Sequence, residues 1–473
     1  MSPAALAVLA SWSFPPWVTA LNLLTALLYV RGWSALRPVM PDRFGARRLV
    51  CFLSGLATLE LALASPIDAF DPFFVADHMF QHMLLMMLVP PLILLGEPAI
   101  PLLHGLPRWV ARDVLGPFLS SPALQRLGGM LTHPAFGWLA LALAMLGWHV
   151  PKAYELALHS SGWHEAEHAT FLVASLLFWW PVCQPWPSRA RWPAWALPIY
   201  LLLADFVNTA LSAFLTFSDR VLYPSYSAVP RLTGISAQSD QVVAGVSMWV
   251  VGSIAFLVPA VAITVRLLSP SRPALEVRKE SAPIETGSRR AVLAILMLAL
   301  PVAALAYGWL APEKIDIDEA VVRTQSVAGP FKVSVFAPQD PVPAGPSDIS
   351  VLVQDAHSDE TILDAEVDLS VQPVNGAGSP GVVRATHEES ANKLLQAGTI
   401  DLPSSGAWEL RASVRREGDQ GQVTANLETV PRAPESAPVW PYAVAVAIII
   451  LIALHRLLKI RALQRNAPVS EPF

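Results

Sequence analysis

Long apolar runs separated by short polar loops are the dominant pattern of the chain. A helix of about 20 apolar residues crosses the hydrocarbon core of a bilayer, and nine runs of that kind are present. We therefore expect a transmembrane helix in each of the runs 13–31, 49–66, 78–97, 134–150, 166–183, 195–217, 241–267, 291–311 and 438–456.

The pattern changes between the eighth and ninth runs, where residues 312–437 alternate short valine-rich segments with Pro, Gly, Asn and Asp turns. The segments FKVSVFAPQ, DISVLVQDA, AEVDLSVQP, AWELRASVR and QVTANLETV indicate an antiparallel β-sandwich. The predicted fold class is an all-α polytopic membrane bundle of about nine transmembrane helices, with one extracytoplasmic β-sandwich before the last helix. The predicted domains are the bundle at 1–311, the sandwich at 312–437, and a C-terminal helix with a basic tail at 438–473.

Composition agrees with a membrane protein. Hydrophobic residues make up 53% and charged residues 15% of the chain, whereas soluble domains carry about a quarter charged residues. Cys51 and Cys183 lie in different apolar runs without a CxxC spacing, so neither a disulfide scaffold nor a cysteine zinc site is indicated. We expect the lipid bilayer, and not nucleic acid, as a partner.

Lysine and arginine concentrate in every second loop, for example at Arg43, Arg47 and Arg48 after the first run and at Arg456 and Lys459 after the ninth. Basic loops of membrane proteins stay in the cytoplasm. The predicted location is a bacterial inner (cell) membrane, crossed several times. The N-terminus and residues 312–437 are then periplasmic, and the C-terminus is cytoplasmic.

Histidines gather at the predicted outer ends of three runs. His78 and His82 begin the third run, His149 ends the fourth, and His164 and His168 begin the fifth. Residues four apart share one face of a helix and stand about 6 Å apart along its axis. Each HxxxH pair is therefore a candidate half of a metal site.

Methionines follow the same helical spacing beside the first pair. Met86 continues its ladder, and Met79 and Met83 stand on the neighbouring stripe. Imidazole and thioether together suit copper, above all Cu(I). Asp77 and Glu165 flank the two histidine pairs, and we expect them to orient the imidazoles.

Other roles stay open for these residues. A single membrane histidine is more often a hydrogen-bond partner between helices, and methionine stripes often fill cores. Two HxxxH pairs with His149 at one depth favour a metal or cofactor role, because intramembrane ionisable groups are functional by default. A haem-b redox protein would take its axial ligands from facing helices near mid-membrane. A copper permease would need ligands that continue inward, and only Met86, Met87, His133 and Cys51 extend that way.

Three segments resemble a known family. DHMFQHMLLMMLVPPLILLGEP, GWHEAEHATFLVASLLFWWPV and SDQVVAGVSMWV are similar, in this order, to characteristic segments of the CtaG family of polytopic cytochrome c oxidase assembly membrane proteins. The resemblance covers roughly residues 10–270. It implies a non-enzymatic assembly factor that handles copper at the outer membrane face and delivers it to an oxidase metal centre. Haem–copper oxidase subunits are the implied partners, and periplasmic copper chaperones are further candidates.

Asp240, Gln241 and Met248 begin the seventh run at the same predicted outer end, and the resemblance implies a functional role for Asp240 and Met248. The candidate metal ligands are His78, His82, His149, His164, His168, Met79, Met83, Met86, Asp240 and Met248, with Asp77, Glu165 and Gln241 as supporting groups. The β-region resembles FixH- or YtkA-like periplasmic domains. It contains His357 and His387 but neither methionine nor cysteine, so we expect a docking module rather than a copper site.

Overall fold

The computed structural model describes residues 2–188, 190–269, 321–374 and 381–432. The eighth and ninth predicted runs, the predicted domain boundaries and the basic tail lie outside these residues. The described chain divides into a helical half up to residue 269 and a β half from residue 321.

The helical half follows the apolar runs of the sequence and breaks at prolines, glycines and polar loops. Its described helices are α1 (Pro3–Ala10), α2 (Pro16–Leu36), α3 (Ala46–Ala64), α4 (Pro66–Phe70), α5 (Val75–Met83), α6 (Val89–Leu95), α7 (Ala99–Gly105), α8 (Gly116–Leu119), α9 (Pro122–Leu131), α10 (Pro134–Trp148), α11 (Pro151–Leu158), α12 (Ser161–Cys183), α13 (Ala196–Thr216), α14 (Ser225–Ala228) and α15 (Ala237–Leu268), with π-helical turns at Leu84–Leu88 and Val110–Leu115.

Five stretches among the described residues are long and apolar enough to cross a membrane: Ala46–Phe70, Val75–Leu95, Ser161–Cys183, Ala196–Thr216 and Ala237–Leu268. Helices α9 and α10, bent by 60° at their junction, supply a sixth if they form one span. These six correspond to the second to seventh predicted runs.

The first predicted run forms α2, which is helical but is not one of these stretches. Its Thr19 and Asn22 lower the hydropathy, and both side chains hydrogen-bond Glu60 of α3. The described residues therefore supply five or six of the nine expected spans.

The third predicted run is one stretch in which a π-helical turn joins α5 to α6. Pro90 and Pro91 follow this turn, and proline has no backbone N–H to donate. The Met86 carbonyl would accept from residue 90 in an α-turn and from residue 91 in a π-turn. Both residues are proline, so the carbonyl has no helical donor. The indole N–H of Trp179 on α12 donates to this carbonyl instead, at 3.0 Å. This contact ties α12 to the helix that carries His78 and His82.

Basic residues and histidines lie at opposite ends of this helix. Arg43 and Arg48, from the loop and helix after α2, pair with Glu97 just beyond α6, at 3.1 and 2.9 Å. His78 lies in the first turns of α5. This arrangement agrees with an orientation that keeps basic loops on one side, although the side itself stays a prediction.

The β half is a sandwich of two sheets. Its strands are β1 (Val321–Ala328), β2 (Phe331–Ala337), β3 (Val342–Pro343), β4 (Gly345–Asp355), β5 (Glu366–Pro373), β6 (Gly381–Ala385), β7 (Gln396–Leu402), β8 (Gly406–Arg416) and β9 (Asp419–Val430). One sheet has the order β1-β2-β4-β7 and the other β3-β9-β8-β5-β6. All neighbours are antiparallel except β3 and β9. Buried residues such as Val333, Val351 and Leu410 come from both sheets and form one core.

The sandwich packs on the end of the bundle that carries the histidines. Phe336 of β2 meets Phe73 edge-on, with ring centroids 6.0 Å apart. The Asn392 side-chain amide donates to the Ala69 carbonyl at 3.0 Å, and the Gln354 amide donates to the Arg231 carbonyl at 2.9 Å. The bundle residues in this junction come from α1, from α4 and the loop after it, and from the loop before α15. The sandwich therefore contacts the segment that leads into α5.

Candidate metal centre

Four histidine rings meet between α5 and α12. His78 and His82 stand one turn apart on α5, with ring centroids separated by 4.4 Å, and His164 and His168 on α12 are separated by 4.2 Å. Across the two helices the His78 and His164 rings are 5.2 Å apart, and the His82 and His168 rings are 5.3 Å apart. The two HxxxH pairs therefore face each other, as their spacing and predicted depth imply.

Two carboxylates that were not among the candidates complete this cluster. Asp71 lies in the loop after α4, and its Oδ2 is 3.4 Å from Nδ1 of His78 and 3.4 Å from Nε2 of His164. Glu167 lies on α12, and its two oxygens are each 3.8 Å from Nε2 of His78 or of His82. Both carboxylates are buried.

Helix geometry explains why Glu167, and not Glu165, belongs to the cluster. Glu167 is three residues after His164 and so shares its face of α12, whereas Glu165 is only one residue away and points about 100° round the helix. The Glu165 side chain is exposed. The expected supporting acid on this helix is therefore replaced by its neighbour two positions on. Asp71 could not be found from helical spacing, because it reaches the cluster from a loop.

The polar atoms of this cluster are buried without hydrogen-bond partners among the described residues. They are Oδ2 of Asp71, both ring nitrogens of His78 and of His82, Nε2 of His149, His164 and His168, and both carboxylate oxygens of Glu167. Buried polar groups of native proteins are almost always satisfied, because leaving one unpaired costs roughly 1–3 kcal/mol. So many unpaired nitrogens and carboxylate oxygens at one place fit a bound metal ion.

His149 lies beside α10 at the edge of this region. Its Nδ1 is 2.7 Å from the Met145 carbonyl, and its Nε2 is buried with no partner among the described residues. A hydrogen bond from Nδ1–H fixes the tautomer that leaves the Nε2 lone pair free. This is the form in which an imidazole binds a metal.

The four candidate methionines, Met79, Met83, Met86 and Met248, are fully or almost fully buried in the apolar core of the bundle. Two aromatic members of the same core touch the cluster. The Tyr154 ring is 5.0 Å from His78, and the Phe171 ring is 4.7 Å from His82. The methionines share this core, and their role as metal ligands stays a prediction. The donors that the distances above bring together are imidazoles and carboxylates. Imidazole with carboxylate is a harder donor set than imidazole with thioether, and it suits Cu(II) or Zn²⁺ as well as Cu(I).

Asp240 and Gln241 support the scaffold instead of pointing into the cluster. The Asp240 carboxylate accepts hydrogen bonds from the backbone N–H groups of Val75 and Ala76, at 2.8 and 3.2 Å. An acidic group at this position stabilises the N-terminus of α5. Gln241 bonds the backbone of the loop after α13, for example the Leu222 N–H at 2.7 Å. Asp77 is half-buried and lines a cavity between the bundle and the sandwich.

A group of tyrosines lies beside the cluster, where the Tyr154 ring contacts His78. The Tyr226 hydroxyl donates to the Asp71 carbonyl at 3.0 Å and lies 3.1 Å from the Tyr154 hydroxyl. Tyr154 stacks on Tyr223 with centroids 3.8 Å apart. Burial raises the pKa of Tyr154 and of Tyr226 well above the usual value. Both phenols therefore stay protonated, and the hydrogen bond to Asp71 persists at any physiological pH.

A helical membrane protein with a buried histidine–carboxylate site is the class that this fold and this cluster define. Residues 27–269 match the family model described as cytochrome c oxidase caa3 assembly factor (Caa3_CtaG). The match covers more than half of the chain, and the chain belongs to this family. The predicted membership is confirmed, and the β-sandwich lies outside the matched residues as a separate region.

Curated relatives match about half of the chain. The uncharacterized protein Mb0105 of Mycobacterium bovis and the uncharacterized protein MT0111 of Mycobacterium tuberculosis are each 27% identical over 250 residues, which is 51% of this chain and 37% of each relative. The uncharacterized protein ML1998 of Mycobacterium leprae is 24% identical over 258 residues, 53% of this chain and 38% of the relative. The aligned region thus spans little more than a third of these longer proteins. No solved structure matches the chain.

Proposed function

We propose that this protein is an oxidase assembly factor that binds copper between α5 and α12 and delivers it to a metal centre of a haem–copper oxidase. The family supports the assembly role. The copper role is supported chiefly by one observation: imidazole nitrogens and carboxylate oxygens from three segments are buried together without partners among the described residues. Four histidines and two acids form a donor set that a copper ion satisfies.

The proposed role is binding and transfer, so it needs no catalysed bond change. Copper is the cargo of the protein in this proposal, and oxidase subunits are the acceptors. Periplasmic copper chaperones are the proposed donors. The contact between the sandwich and the loop that carries Asp71 supports a docking role for the sandwich, because that end of the bundle is where a donor or acceptor would approach.

Haem binding is the competing proposal, and the close packing of the four histidine rings disfavours it. The four rings lie within 4.2–5.3 Å of their nearest neighbours, and the carboxylates of Asp71 and Glu167 flank them. A macrocycle placed between any two of these rings would overlap the other two. Axial haem ligands instead stand on opposite faces of the macrocycle with nothing else between them.

The test is metal analysis and a visible spectrum of protein purified from membranes without chelators. We expect copper in the wild-type protein, no Soret band, and much less copper in a His82→Ala/His168→Ala variant at equal abundance. Copper content of the oxidase should fall in cells that carry only this variant. A Soret band, or wild-type protein with no more copper than the variant, would refute the proposal.

A further inference from the structure

The two nitrogens of the His78 ring face different groups of ligands. Nδ1 is 3.4 Å from Oδ2 of Asp71, and Nε2 is 3.8 Å from Oε2 of Glu167. The ring is fully buried, and neither nitrogen has a hydrogen-bond partner among the described residues. In an imidazole the lone pairs of the two nitrogens point away from each other, so one ion cannot bind both.

Each nitrogen belongs to its own set of three ligands. Asp71, His78 and His164 form one set, and His78, His82 and Glu167 form the other, with the ligand atoms of each set within 4.8 Å of one another. Metal–ligand bonds of about 2.0–2.2 Å to nitrogen and oxygen span this separation after a small relaxation of the side chains. The first set includes the loop residue, and the second lies one turn further along α5.

We infer that the site holds two copper ions, one on each nitrogen of His78, so that this imidazole bridges them. Asp71 and His164 complete the outer position, and His82 and Glu167 complete the inner one. The inference rests on the proposed function, since it concerns how the same site holds its cargo. A neutral imidazole carries one N–H proton, and the second ion displaces that proton to solvent as it binds.

Charge and spare ligands agree with two ions. Two carboxylates and one bridging imidazolate offset most of the charge of two copper ions in a region where water is excluded. A single ion would need less negative charge than these three groups supply. His168 remains to extend the coordination, because its ring is 5.3 Å from His82 and 4.2 Å from His164 and its buried Nε2 has no partner among the described residues. A shared ligand also offers a path for an ion to pass from one position to the other.

The experiment is a Cu(II) titration of the full-length protein in detergent, followed by copper analysis and electron paramagnetic resonance. We expect two ions per chain and a resonance signal that accounts for much less than the bound copper, because an imidazolate bridge couples the two spins. The Glu167→Gln and Asp71→Asn variants should each halve the copper and recover the signal of isolated Cu(II). Glu165→Gln is the matched control, since this acid is exposed on the same helix, and it should behave as the wild type.

The outcomes separate this inference from the proposed function. Wild-type protein with one copper per chain and a full resonance signal would overturn the bridge and leave the proposed function intact, whereas protein that binds no copper would overturn both. The wild-type stoichiometry and signal decide the question even if a variant is not produced in membranes. A Glu167→Gln protein that keeps both ions would also contradict the assignment of the inner position.

Discussion

The bundle holds a fully buried histidine and the sandwich a half-buried one, and their hydrogen bonding differs. In the sandwich, Nδ1 of His387 is 2.8 Å from the Leu395 carbonyl and Nε2 is 3.0 Å from the Leu363 carbonyl. In the bundle, both nitrogens of His78 lack a hydrogen-bond partner among the described residues. A histidine whose ring nitrogens contact backbone carbonyls stabilises the fold. A buried histidine without hydrogen bonds is a better candidate for a metal ligand. Residue type alone does not separate these two roles, but hydrogen bonding does.

Acidic residues within the bundle divide in the same way. Glu60 accepts hydrogen bonds from Thr19 and Asn22, at 2.5 and 2.8 Å, and Glu97 pairs with two arginines. Glu167 makes no hydrogen bond through its carboxylate among the described residues, and its oxygens lie 3.8 Å from Nε2 of His78 and of His82. The acid without a hydrogen bond therefore lies with the histidines that also lack one, at the place where we propose that copper binds.

The largest effect is expected from His78→Ala, because this residue belongs to both ligand sets. The variant should lose most of its bound copper, and a His78→Ala/His82→Ala double variant should be little worse, since groups that act as a unit are not additive. The measurement is copper per protein in membranes, read beside abundance. Met83→Leu is the packing control, and it should keep its copper and lose less than about 1.5 kcal/mol of stability. Full copper in the double variant at normal abundance would make the α5 pair structural.

The next largest effect is expected from a substitution at the junction between the sandwich and the bundle. Phe336 is buried against Phe73 and the rest of the apolar cluster between sandwich and bundle, and removing such a side chain costs about 3–5 kcal/mol. We expect Phe336→Ala to let the sandwich separate from the bundle, seen as faster proteolysis of the sandwich in intact protein. Val327→Ala is the control, since Val327 is 64% exposed on β1. Equal proteolysis of both variants would show that the junction contributes little.

Asp240→Asn distinguishes a helix-capping role from a ligand role. The loss of charge at the N-terminus of α5, with weaker hydrogen bonds to Val75 and Ala76, should cost about 0.3–1 kcal/mol. Thermal unfolding should therefore shift down while copper per folded protein stays near that of the wild type. If the copper is lost with no change in thermal stability, Asp240 is a ligand after all.

Sequence patterns identified the interior strands of the sandwich. The five segments quoted for the sandwich became β2, β4, β5, β8 and β9, which are the interior strands of the two sheets. The strands that were not predicted, β1, β3, β6 and β7, are the edges. Edge strands are often short or polar and carry a weaker apolar alternation. In β1, for example, Arg323, Gln325 and Ser326 interrupt the apolar pattern.

The site was predictable to the extent that it is local. The HxxxH spacing places two imidazoles on one face of each helix, and this required only the helical repeat. Glu167 follows from the same repeat and was overlooked beside Glu165. Asp71 depends on the packing of a loop against two helices, and Asp240 depends on which helix begins beside it. Contacts of that kind are set by the tertiary structure and leave no periodic trace in the sequence.

The smallest effect is expected from the sandwich histidines, and it tests the opening contrast most directly. His357 is exposed, and His387 already lies at hydrogen-bond distance from two carbonyls, so we expect neither to bind copper. A His357→Ala/His387→Ala variant should keep the copper content of the wild type, although the loss of the His387 contacts should lower stability by about 1–3 kcal/mol. Copper per folded protein, compared with that of His357→Ala alone, is the measurement. A drop in copper that exceeds the drop in folded protein would mean that the sandwich takes part in binding, and that hydrogen bonding does not separate the two roles.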